Sequence, residues 1–189
     1  MTDPGVEAEA TANARLLVAC GYLEADEVAE AIVDMQEDFG GGDGPEQLTQ
    51  EQAREIVDAV WRARIAEQAA WPARTDVDAL EAAFEALEDG GIVAREDFAC
   101  CAQCGHAEIH GEMEEDSRGY VFFHQQRTEA AVLDGELYLY YGARSPHPAE
   151  DVAREITERL RGEGLSVEWD GDTGKAVVVK PIVWLKRIG

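Results

Sequence analysis

The sequence predicts an α+β fold, with an N-terminal helical region of about four helices followed by a mixed, mainly antiparallel sheet flanked by helices. Three observations predict it. Before residue 90, apolar residues recur at helical spacing. After it they fall in short runs bounded by glycines and turn formers. A single amphipathic stretch, "HPAEDVAREITERLRGEG", then interrupts those runs. The expected organisation is a helical region over 1–89 and an α+β domain over 90–189 that carries a cysteine cluster. The boundary is soft, and the two parts can share a core.

Ala12, Leu16, Leu17 and Ala19 set a first helix that ends at Gly21. Asp26 can cap a second, with Val28, Ile32, Val33 and Met35 inward, stopped by the glycine-rich stretch at 40–45. Thr49 and Gln52 form a capping box for a third. Ala53, Ile56, Val57, Val60 and Ile65 carry its apolar face up to Trp71-Pro72. Thr75 opens a fourth, with Val77, Leu80, Phe84 and Leu87 inward and Gly90-Gly91 at its end. Strands are expected in "GIVAR" (91–95), "GYVFFHQQ" (119–126), "GELYLYY" (135–141), "LSVEW" (165–169) and "KAVVVKPIVWL" (175–185). The turn formers "DGDTG" should join the last two as a hairpin. Both alternating faces are apolar in "YVFFH" and "LYLYY", which predicts central strands covered on both sides.

Charge narrows the function classes. The 189 residues carry 16 basic and 40 acidic side chains, a net −24. Such a field repels phosphate backbones and anionic lipid, so nucleic acid and membrane are excluded as partners and a basic protein is favoured. No apolar run reaches membrane-spanning length. Leu17-Val18-Ala19-Cys20-Gly21 has the look of a lipoprotein cleavage box, but the polar, acidic residues before it are no export signal. The expected location is therefore the cytoplasm, where clustered cysteines mean metal, catalysis or burial more often than a structural disulfide.

"CCAQCGH" (100–106) holds three of the four cysteines, and it can be read in three ways. As a knuckle, Cys101-x-x-Cys104-Gly105 would grip zinc with two thiolates, the rest of the ligands coming from Cys100, His106, His110 or His124. As a redox pair, Cys101 and Cys104 would lie in the first turn of a helix, whose positive end favours thiolate. As packing, the cysteines would act as small apolar groups on a regular helix over 97–116, with Phe98, Cys101, Ala102, Gly105 and Ile109 against the sheet. On that straight helix sulfurs and imidazoles diverge, and only a turn at Gly105 would bring them together. The straight, buried helix is the expectation. A second candidate is a ligand pocket at His124, Gln125 and Gln126, where a strand's carboxyl end carries polar residues.

In the block "AREDFACCAQCGHAEI" (94–109), then "GYVFFHQQ", "LYLYYGA" (137–143) and the C-terminal "VEWDG" with "VVKPIVWLKR", the chain resembles an uncharacterised bacterial family, a domain of unknown function. It departs from the pattern at Arg127, where an acidic residue is expected. The resemblance implies that the Cys block and the His-Gln-Gln segment belong to one design, and it adds no mechanism. The expected function is a non-enzymatic protein-binding module, possible kin to immunity-type inhibitors, with a buried Cys cluster. The alternative is a zinc-knuckle protein or a thiol–disulfide redox protein using Cys101 and Cys104.

Overall fold

A computed structural model describes residues 4–39 and 48–189. The expected stop at 40–45 lies outside these described residues. The chain divides into two compact units, Met1–Pro72 with Lys186–Gly189, and Ala73–Leu185. The fourth helix, placed by sequence with the helical region, thus belongs to the unit that holds the sheet.

The first unit contains α1 (Pro4–Cys20), α2 (Ala25–Phe39) and α3 (Gln50–Gln68). Helix α1 buries Ala10, Ala14 and Val18. The expected face is turned: Ala12 is exposed, and Leu16, Leu17 and Ala19 are only partly covered. Small side chains four apart let the neighbouring helices approach closely, so the larger Leu17 packs at the margin of the core. In α2, Val28, Ala29 and Ile32 are fully buried, while Asp26 lies in the first turn, where its charge complements the helix dipole. Thr49 and Gln52 make the expected reciprocal capping box of α3. Ala53 and Val57 are buried behind it, whereas Ile65 is left exposed. The chain's last residues close this unit. Ile188 N–H donates to Gln68 Oε1 (2.7 Å), Gln68 Nε2 donates back to the Ile188 carbonyl (3.1 Å), and the Lys186 ammonium sits 4.4 Å from the centre of the Tyr22 ring.

The second unit opens with α4 (Asp76–Asp89), capped by Thr75 and burying Val77, Leu80, Phe84 and Leu87 as its spacing predicts. There follow β1 (Ile92–Arg95), α5 (Ala102–Glu108) with a 3-10 turn over Ile109–Gly111, β2 (Gly119–Phe122), α6 (Gln125–Asp134), β3 (Leu137–Ala143), α7 (Ala149–Gly162), β4 (Val167–Glu168) and β5 (Val177–Val179). The strands form one mixed sheet in the order β1-β2-β3-β5-β4. Only β1 and β2 run parallel, joined through α5; the other pairings are antiparallel. The last two strands form the expected hairpin partners, Val167 opposite Val179.

Alternation along β2 sorts the layers. Gly119 lies against Val152 of α7, and Tyr120 and Phe122 point to the opposite face, where they pack with Ile109, Val93, Phe98 and Tyr140. Arg118 ties the covering elements together, donating to the Gly90 carbonyl (2.7 Å) and to both oxygens of Glu155 (3.0 and 2.9 Å). Two expectations are corrected. The strand begun at Gly119 ends at Phe122, so His124, Gln125 and Gln126 are not strand; they open a helix that the sequence reading missed. The final strand stops at Val179 instead of running to residue 185, because Pro181 cannot donate to the ladder.

Candidate functional site

The parallel strands β1 and β2 end side by side, and the chain leaving β1 is stitched to the chain leaving β2. Phe98 N–H donates to the Phe123 carbonyl (2.8 Å), and Gln125 N–H donates to the Ala99 carbonyl (3.2 Å). The hydroxyl of Thr128, fully buried in α6, donates to Asp97. Held this way, Asp97 and Ala99 take left-handed backbone conformations, with φ of 49° and 62°. Neither is glycine, so each costs on the order of 1 kcal/mol against an ordinary conformation. Their effect is to deliver Cys100 and Cys101 to the surface just ahead of α5.

Helix α5 begins one residue later. Cys101 is its N-cap residue, with extended backbone (φ −152°, ψ 168°), and Cys104 lies three positions on. The helix runs through Gly105 without a bend, as expected, but it is far shorter than 97–116. The turn that gathers the sulfurs comes before Ala102, not behind Cys104. Gly105 is required by the sheet: a Cβ there would stand 2.2 Å from the Phe122 ring. That close approach was anticipated, and it anchors the helix from which Cys104 projects.

The sulfurs of Cys100, Cys101 and Cys104 lie within 4.8 Å of one another. The expected burial is not found. Cys100 is exposed and Cys101 and Cys104 are half-buried, while the fourth cysteine, Cys20, is buried in the helical unit. The two helix thiols are electrostatically unequal. The Cys104 backbone N–H, and then the Cys104 thiol, hold Cys101 below the usual thiol range. The bond made with Cys101, reinforced by Cys100, pushes Cys104 up to about 11.

The histidines are elsewhere. His106 Nδ1 pairs with the Tyr120 hydroxyl at 3.0 Å, and its ring sits edge-on to Phe122 at 5.1 Å. Burial, with His110 beside it, keeps it below the usual histidine range. The His110 ring meets the Tyr120 ring edge-on at 5.5 Å. His124, the N-cap residue of α6, is buried and stacked on Tyr140 at 5.4 Å. Its Nδ1 has no hydrogen-bond partner, and burial followed by the Arg127 charge lowers its pKa. Gln125 and Gln126 are exposed on the first turn of α6, so that trio is divided between interior and solvent. Arg127 donates to the Tyr140 hydroxyl (3.2 and 3.1 Å) and lies over the Tyr138 ring. Among the described residues, the group able to hold a metal consists of the three cysteines, without His106 or His124.

The model for the domain of unknown function DUF6891 matches residues 3–188. The chain belongs to the DUF6891 family. No curated protein and no solved structure matches it significantly. Family membership thus spans both units, and no helix among the described residues is long and apolar enough to cross a membrane.

Proposed function

We propose that this DUF6891 protein is a metal-binding module whose ligands are the thiolates of Cys100, Cys101 and Cys104. The observation that carries the reading is the convergence of three sulfurs within 4.8 Å at a partly solvent-exposed position. Thiols kept for packing are ordinarily buried, and here two left-handed non-glycine residues are maintained to bring them out. Thiolates are the ligands of zinc and of softer ions. Zinc is the candidate named by the Cys101-x-x-Cys104 spacing. A reducing cytoplasm would keep the ligands available, and the net charge of −24 favours a basic protein as the partner of such a module.

The inequality of Cys101 and Cys104 supports a second reading, thiol–disulfide exchange. Cys101 thiolate would attack a partner's disulfide and release one partner thiolate. Cys104, once deprotonated, would displace the second, leaving a Cys101–Cys104 disulfide and a reduced partner. One experiment separates the two readings. Reduced protein is incubated with divalent metal, freed of excess, and assayed for bound ion and for thiols that react with a chromogenic disulfide. The metal reading expects about one ion per chain and protection of three thiols. No bound ion, together with rapid oxidation of the Cys101–Cys104 pair, would replace it with the exchange reading.

A further inference from the structure

We infer that the site selects a soft ion satisfied by three thiolates, such as trivalent arsenic or monovalent copper, and that zinc obtains no fourth ligand from His106, His110 or His124. The inference rests on the metal-binding reading and concerns which ion the same site takes.

Three facts support it. First, the donor set is all sulfur, the softest set a protein offers. At a metal–sulfur distance of about 2.3 Å, three sulfurs stand about 4.0 Å apart in a trigonal plane and about 3.8 Å in a tetrahedron. Sulfurs already within 4.8 Å of each other need only to draw closer together to grip one ion. Second, none of the histidines that would complete a zinc tetrahedron joins the sulfur cluster. His106 is bonded to Tyr120 and set edge-on to Phe122, His110 meets the Tyr120 ring edge-on, and His124 is stacked on Tyr140. Third, α5 cannot roll to bring His106 round. Gly105 rests on Phe122 with no room for even a methyl group, so turning the helix would drive side chains into that ring. A four-coordinate ion would need to fill its last position from solvent, whereas a three-coordinate ion needs nothing more.

Two arsenicals count the thiolates. Arsenous acid condenses with three thiols and releases three waters; phenylarsine oxide condenses with two and releases one. Full-length reduced protein should bind both. Cys100→Ser, a change at an exposed position that leaves folding intact, should keep phenylarsine oxide binding and weaken arsenite binding by at least about 100-fold. Unchanged arsenite binding in Cys100→Ser would overturn the three-thiolate assignment. A monovalent copper titration against a chromogenic chelator runs in parallel. Copper held by three sulfurs in X-ray absorption identifies copper as a second ion of the class, and copper held by two sulfurs overturns the assignment.

Zinc supplies the decisive contrast. His106→Ala should leave zinc affinity within about 3-fold of the parent, because loss of a true ligand costs far more. A loss of more than about 10-fold, or an imidazole in the zinc absorption spectrum, would overturn the inference while leaving the metal-binding reading intact. Failure of arsenite, copper and zinc all to bind would remove both. Cys20→Ser, in the helical unit, serves as the control with unchanged binding.

Discussion

Helix α4 and the segment Asp97–Cys101 belong to the same unit, and they obey opposite rules. In α4 every local preference agrees with the fold. A buried Thr75 accepts from the Asp78 N–H (3.2 Å), Asp78 accepts from the Thr75 N–H (2.6 Å), and the apolar stripe goes wholly inward. In the cysteine segment the preferences are overridden. Aspartate and alanine sit where glycine is favoured, and thiols that usually hide are shown to solvent. Such a segment persists only because β2 and α6 hold it through Phe123, Gln125 and Thr128. Conflict that the surrounding structure sustains is a physical pointer to a site, whereas agreement at every level marks scaffold.

Substitutions at three positions break or sharpen that contrast. The largest effect is expected of Gly105→Ala. Its methyl group would collide with the buried Phe122 ring, so urea unfolding should show a loss of about 2 kcal/mol. An unchanged midpoint would mean that α5 does not rest on the sheet as described. Next comes Thr75→Ala, which leaves the Asp78 N–H without its cap and should cost about 1 kcal/mol. Thr75→Ser should restore most of it. The smallest effect carries the opposite sign. Ala99→Gly relieves a left-handed conformation, and after the added freedom of the unfolded chain it should stabilise by about 0.5 kcal/mol. It should also loosen the presentation of Cys100 and weaken arsenite binding. Destabilisation by Ala99→Gly would show that the segment stores no strain.

These differences explain what could be read in advance. Both threonine-capped helices and the 165–179 hairpin were legible because their signals are local: a hydroxyl next to a helical stripe, a cluster of turn formers between two strands. Helix α6 was hidden for an equally local reason. Its N-cap residue is His124, which makes no side-chain capping bond, and the apolar run of Tyr120–Phe123 leads straight into it without a break. The cysteine segment was half legible. Gly105 was read as a close contact, because a glycine inside a helical pattern asks for one. The left-handed turns at Asp97 and Ala99 have no residue signature, since they are imposed by β2 and α6 from 25 to 31 positions away. The long straight helix over 97–116 was therefore the natural reading, and it concealed the exposure of the sulfurs.

The return of Lys186–Gly189 to the first unit has a consequence for biosynthesis. Met1–Pro72 leaves the ribosome before Ala73–Leu185, yet Gln68 cannot meet Ile188 until the sheet unit encoded between them has been synthesised. The sheet unit is encoded between them, so it emerges whole while its helical neighbour still lacks a piece of its core. Synthesis of Lys186–Gly189, rather than of the third helix, is the event that lets the first unit reach its final packing.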